Sequence, residues 1–188
     1  MAPWVKAEYA NELAVLSAWL AALLPWNVSY AGDVAGGRLL YVRFPFFQVR
    51  YTFGVPLARA VRLDHPLSAV RFQSGTSLEL PYQVWAVGAA LVAVAVGLSV
   101  VFYRYEDRLA AGPVDPVRLM GGVIGTGTLV LAVATYYLYG NGLPTVEVPV
   151  GLLLVGALAV VLLTVEREGD GGSDATAEFD LDADSEGP

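Results

Sequence analysis

No cysteine occurs in the 188 residues, so the chain can build neither a disulfide framework nor a thiolate metal site. One histidine, His65, is too little for a histidine-rich metal centre. Lysine is almost absent as well: Lys6 stands alone against ten arginines. The most telling scarcity is of charge inside the long apolar runs, where Glu12, at the edge of the first run, is the only ionisable residue. Ionisable groups at membrane depth are what mark proton relays and ion-coupled carriers, so their lack counts against a pump but leaves a passive pore open. No Ser or Cys stands in a recognisable nucleophile context, and no pair of acid–base residues speaks for an enzyme. The expected catalytic, cofactor and metal sets are therefore empty, and no nucleic-acid partner is expected.

What the chain has in abundance is apolar surface, 56% of its residues, with a mean hydropathy of +0.56. The stretch Val84–Tyr103 runs twenty residues with Ser99 as its only hydroxyl and no charge. As a helix it would be ~30 Å long, the thickness of a bilayer's hydrocarbon core, where only helices and closed barrels satisfy their own backbone. Trp85 and Tyr103 mark its ends, as expected of rings at the headgroup level. Three further spans are predicted, at about 9–30, 119–139 and 149–165. The first has a competitor: Lys6, Ala14–Leu24 and Ser29-Tyr30-Ala31 can be read as a cleaved signal peptide. Glu8 and Glu12 fit that poorly, and Trp26 and Tyr30 look like an interfacial anchor, so a retained helix is the adopted reading.

Between the first two spans, residues 31–83 are rich in turns, aromatics and arginines. Alternation at Leu40, Val42, Phe44, Phe46 and again at Val49, Tyr51, Phe53, with Arg43, Arg50 and Thr52 opposite, predicts strands broken by Pro45. A second hairpin is predicted where Ser68–Gln73 and Thr76–Leu80 flank Ser74-Gly75, and a short amphipathic helix over 56–63. The Phe44/Phe46/Phe47 cluster is expected on the helix ends or in lipid. Farther along, Asp115-Pro116 predicts a helix start.

The net charge of −7 is uneven: residues 166–188 carry nine acids and one Arg, leaving ten basic against nine acidic residues in 1–165. That acidic tail has too few apolar residues to order and is predicted to be disordered. Arginine over lysine, an acidic tail and no cysteine suggest adaptation to high salt, where the Debye length at ~1 M is only ~3 Å and contact pairs alone survive. Arg104, Arg108 and Arg118 fall in one short loop and no base in the loop 140–148, which puts both termini in the cytoplasm and 31–83 outside.

The predicted fold is thus a mainly α membrane protein: a four-transmembrane-helix bundle with a small β-rich extracellular insertion between helices 1 and 2. Small residues four apart, Ala14/Ala18/Ala22, Ala89/Ala93/Gly97 and Gly121/Gly125, are expected to pack helices closely, within one bundle or between two copies. Arg38, Arg43, Arg50, Arg59, Arg62 and Arg71 are candidates for lipid phosphates or an acidic partner, or for pairing with Asp33, Asp64 and Glu79. His65 before Pro66 reads as a turn residue, and the glycines of 121–127 as packing rather than a phosphate loop, since the Lys and the preceding strand are lacking. Asn27-Val28-Ser29 forms a sequon held too near the membrane for a transferase.

Trp4-Val5-Lys6-Ala7-Glu8-Tyr9, Leu13–Leu20, Arg43-Phe44-Pro45-Phe46-Phe47 and Pro113–Gly122 together resemble a family of uncharacterised multi-pass membrane proteins of haloarchaea. The resemblance covers most of residues 4–165 and implies a haloarchaeal cytoplasmic membrane, without an activity or ligand. Three functions are weighed: a non-enzymatic scaffold or accessory protein that assists a partner through its outer subdomain, a small, oligomeric transporter or pore component, and, least, a membrane enzyme; the expected partners are the lipid bilayer and a membrane protein or further copies of the chain.

Overall fold

The computed structural model of the chain describes residues 9–34, 36–54, 60–105, 115–141 and 146–164. Four apolar helices lie side by side: α1 (Ala10–Leu23), α3 (Glu79–Arg104), α4 (Pro116–Asn141) and α5 (Val150–Thr164). A five-stranded sheet and the short helix α2 (Pro66–Gln73) sit at one end of them. The sheet is antiparallel throughout, in the order β4 (Val61–Asp64), β3 (Gln48–Phe53), β2 (Gly37–Arg43), β1 (Asn27–Val34), β5 (Val146–Val148).

Several elements begin or end for local reasons. Pro25 forces Leu24 into an extended conformation (φ −79°, ψ 138°), which stops α1 at Leu23. Residues 24–30, expected in the first span, are therefore a turn and the start of β1. Asp115 caps α4, its carboxylate accepting from the Val117 N–H at 2.9 Å, as the Asp-Pro pair predicts. His65 caps α2: its Nδ1 accepts from the Ser68 N–H at 3.2 Å, with Pro66 in the first turn. The second hairpin is thus not formed. Ser68–Gln73 is helical, and Ser74-Gly75, with Gly75 at φ +78°, is the corner between α2 and the turn that leads into α3. The expected helix over 56–63 is overturned at its end, where Val61–Asp64 pairs with β3; residues 55–59, including Arg59, lie outside the described residues. The acidic tail, 165–188, lies outside them too.

α3 and α4 are each 26 residues, long and apolar enough to cross a membrane by length and composition, with mean hydropathies of 2.4 and 1.7. α1 and α5, at 14 and 15 residues, reach ~21–23 Å. Small residues line much of the bundle's interior beside Trp85, Met120, Ile124 and Leu162, and further large ones face outward. Ala14, Ala18, Ala95, Ala134 and Ala159 are at most 2% exposed, while Leu16, Leu129 and Leu153 stand out at 54%, 70% and 77%. A Cβ on Gly121 would come within 2.9 Å of Leu162 Cβ, and one on Gly125 would touch Ala159. The stripes of α1 and α4 therefore pack inside this one bundle.

The expected line of residues four apart needs correcting on α3, because steps of four overshoot the helical repeat of 3.6 and rotate off the contact face. On α1 Ala14, Ala18 and Ala22 are all buried, and Ala10, Ser17 and Ala21 share their face, so the line is part of a band. Ala22 is the last buried residue of α1, one position before its end, and Ala21 beside it lines the interior with Trp26 and Leu152. Along α3 the drift goes further: Ala89 is buried, but Ala93 and Gly97 face outward, with nothing within 4 Å of a Cβ on Gly97. Gly88, against Leu131, and Gly151, against the Pro25 carbonyl, make close approaches that spacing alone did not single out.

Candidate functional site

The joint between helices and sheet is built from the turn Arg43–Phe47, where Pro45 interrupts the strand. Trp26 Nε1 donates to the Phe44 carbonyl (3.2 Å) and Trp85 Nε1 to the Pro45 carbonyl (3.0 Å). The two indoles lie 6.4 Å apart, and Tyr82 meets Trp85 edge-on at 5.7 Å. Trp26 and Trp85, expected as rings at the membrane surface, are instead 2% and 1% exposed. They are spent on fixing the sheet to the bundle. Phe44 stacks on Phe47 at 4.5 Å, and Phe46 and Phe47 keep 37% of their surface open beside the helix ends.

The period-two pattern gives the sheet two unlike faces, and the polar one points inward. Asn27, Ser29, Arg43, Gln48 and Thr52 all lie within 6% exposure on the face that meets the helices. Glu147 of β5 stands directly opposite Ser29, and its side chain is 5% exposed. Arg43 Nη1 donates to Ser29 Oγ and lies 3.5 Å from Glu147 Oε2. Ser29 Oγ donates to Glu147 at 2.5 Å, and Asn27 Nδ2 to Thr135 Oγ1 of α4 at 3.4 Å. Arg43 also sits 4.9 Å over the Tyr41 ring. Serine, carboxylate and arginine in one cluster resemble parts of a catalytic set, but Ser29 is fully buried and surrounded. Chemically, the cluster is a paired buried charge, costly to break and directional. It ties β1, β2, β5 and α4 in one register. The same burial of Asn27 and Ser29 closes the sequon.

The other face is open and apolar. Val28, Tyr30, Leu40, Val42, Val49, Tyr51, Phe53, Val61, Leu63, Val146 and Val148 share it, with Arg38 as its charge. Tyr30, Phe53, Val61, Leu63, Val146 and Val148 are between 42% and 67% exposed. The sequence pattern found these residues; which set would face the helices it did not.

The candidate arginines part company. Arg43 is buried against Glu147 and meets neither lipid nor a partner, because its charge is already compensated. Arg62 binds Asp64 at 2.9 Å and covers the Phe72 ring at 4.5 Å, the internal pairing that was one of its two expected roles. Arg50 stands opposite Arg62 on the inner face, while Arg38 and Arg71 are exposed. His65 is a cap. Among the described residues no group of three or more His, Cys, Asp or Glu is placed to hold a metal. Inside the bundle, a void of about 10 Å³ is lined by Trp26, Val92, Ile124, Leu131 and their neighbours, with Thr128 its one hydroxyl.

A family model matches residues 3–167, nearly all of the chain outside the tail. The chain belongs to DUF7549, a family of unknown function. The DUF7549 match covers bundle and sheet together. Among curated proteins, none matches the chain.

Proposed function

We propose that the chain is a non-enzymatic, multi-pass protein of the cytoplasmic membrane whose four helices carry the sheet on the outer side as a platform for another protein. One observation carries this reading. Around Trp85, Met120, Ile124, Leu131 and Leu162 the bundle's interior is lined with alanines and glycines, while Leu16, Val87, Leu129 and Leu153 face outward, which suits lipid as the surrounding solvent. Its helix order supports the topology: α1 and α4 end, and α3 and α5 begin, on the side of the sheet, while Arg104 and Arg118 lie at the other end with the start of α1 and the end of α5. The two short helices fit a bilayer that thins around them. Close packing of α1 against α3, α4 and α5 favours its retention over cleavage. The high-salt composition supports a haloarchaeal setting.

Among the described residues the void at Trp26, Val92, Ile124 and Leu131 has room for a single water at most, about 10 Å³, which favours a scaffold over a pore. Alkaline and high-salt washes of native membranes should leave the protein in the pellet. Reporter fusions at the C-terminus and at Asn141 should give opposite signals. Release by the wash, or equal signals, overturns the proposal.

A further inference from the structure

On the inner face of the sheet, Arg43, Arg50 and Arg62 stand with Glu147 and Asp64, and one arginine is left over. Arg43 takes Glu147, and Arg62 takes Asp64. Arg50 lies between them, with Tyr41 opposite it on β2 and Arg62 directly opposite on β4. Like charges set across a strand pair, with Cβ atoms ~4.5–5.5 Å apart, repel and weaken the sheet. Among the described residues no group hydrogen-bonds or ion-pairs with the Arg50 guanidinium. It is half-buried, yet each of its nitrogens reaches the surface. Arg62 is similarly placed. Its Nε is spent on Asp64 at 2.9 Å and its guanidinium covers the Phe72 ring, while both Nη groups stay unbonded and accessible. Arg43 is the contrast, because its unpaired Nε is sealed inside.

We infer that Arg50 and Arg62 form a binding site for a phosphate group, and that its ligand is the phosphodiester of a lipid headgroup. Lipid as the source rests on the membrane reading above; free phosphate presents the same group, and the experiment separates the two. A carboxylate has two oxygens, which one guanidinium fork satisfies. Two forks side by side suit a group with oxygens at more corners, and that is phosphate. The charge fits as well. Three arginines against two carboxylates leave one positive charge on this face, and a phosphodiester carries one negative charge. Height favours a lipid. Gln48 shares the face two residues before Arg50, and it accepts from the Tyr82 hydroxyl at 3.2 Å. Tyr82 precedes by two residues the uncharged run that begins at Val84. Arg50 therefore lies ~7 Å along β3 from a contact at the mouth of the proposed span, headgroup depth rather than acyl-chain depth. Molar salt is no obstacle, since direct contact pairs are what survives a Debye length of ~3 Å.

The full chain is purified in a sugar detergent, which carries no phosphate, at high potassium chloride. Thermal melts are followed by circular dichroism after adding phosphatidylglycerol, a neutral glycolipid or inorganic phosphate, and lipid phosphorus retained per chain is assayed after washing. Phosphatidylglycerol should raise the wild-type midpoint by several degrees and stay bound, and the glycolipid should do neither. Arg50→Gln should melt no lower than wild type without lipid, because it relieves the repulsion with Arg62. With lipid it should lose the shift and bind at least about tenfold more weakly, the loss of charge-assisted bonds. Arg50→Glu should melt higher than wild type without lipid, through a new pair with Arg62, and retain no lipid. Arg38→Gln, on the other face of the sheet, should keep both the shift and the phosphorus. A lipid shift that survives both Arg50 variants overturns the site, as does an equal loss in Arg38→Gln or no response to either phosphate source. A shift from inorganic phosphate alone, lost in Arg50→Gln, overturns lipid as the ligand and keeps the phosphate site. If the alkaline wash releases the protein while that shift persists, the membrane reading fails and the site stands.

Discussion

The helical bundle and the sheet solve opposite problems with the same residue types. The bundle packs alanine and glycine among a few large side chains such as Trp85, Met120 and Leu162 and displays further leucines; the sheet hides Arg43, Glu147 and Asn27 and displays valine, leucine and tyrosine. On the proposed membrane reading, lipid removes the penalty on the bundle's apolar exterior and leaves close backbone approach as the packing force. The sheet's apolar face is a separate case, an exposed patch of the kind that marks an interaction surface. Apolar exposure is thus read with the backbone behind it, since a helix satisfies its own hydrogen bonds and a sheet needs its neighbours.

The comparison is most severely broken at Glu147. Glu147→Ala leaves the Arg43 charge buried and unpaired, and should cost ~3–5 kcal/mol, lost from the sheet first. Limited proteolysis should then cut within 27–64 while the helices stay protected. The double change Arg43→Met with Glu147→Leu should restore most of that stability, since it removes both charges. Restoration by neither, or equal loss of protection in the helices, would mean that sheet and bundle are not separable.

A second contrast lies within the bundle. Gly151→Ala sets a Cβ on the Pro25 carbonyl, and Gly121→Ala sets one 2.9 Å from Leu162 Cβ; each should destabilise by ~1–3 kcal/mol in detergent melts. Gly97→Ala meets nothing and should be neutral or stabilising by up to ~1 kcal/mol through helix propensity. Identical shifts for all three would contradict the tight-inside, open-outside description.

On the sheet, Leu63→Ser alone should change stability by less than ~0.5 kcal/mol, because that side chain is 67% exposed. A comparably small effect is expected at His65, where replacement by Ala removes one cap bond to Ser68 and should cost ~0.5–1 kcal/mol. Thermal melts followed by circular dichroism resolve both.

How much of this was legible beforehand follows from which signals are local. The apolar runs behind α3, α4 and α5, the Asp115 cap and the strands through Tyr51 and Phe53 announce themselves in consecutive residues. The failures have physical causes. Ser68–Gln73 is too short for its period to declare helix or strand, and the decisive signal was the His65-Pro66 start. A spacing of four picks out Ala14, Ala18 and Ala22 but passes over Ser17 and Ala21, which the 3.6-residue repeat turns to the same side. Trp26 and Trp85 carry the amphipathic rings of membrane-surface residues, but carbonyls of a turn some 20 to 40 positions away claimed their N–H groups. The pairing of Arg43 with Glu147 spans over a hundred residues and leaves no mark at either position. An alternating strand also reads the same whichever face is buried, so the inversion of the sheet was invisible until its contacts were known.

The position of β5 has a consequence for how the protein is made. Val148 pairs with Val28 and Glu147 faces Ser29, so the second strand pair of β1 waits on a segment synthesised about 120 residues later. At ~5–20 residues per second, that is a delay of roughly 6–24 s. Through that interval Arg43 and Ser29 are already in place around a missing carboxylate, and the site closes only once α4 has been made and β5 follows it. Completion of the sheet therefore reports that α4 has arrived. A chain stalled or truncated before residue 147 would hold an unfinished edge and an uncompensated charge, features by which a quality-control protease could tell it from a finished one.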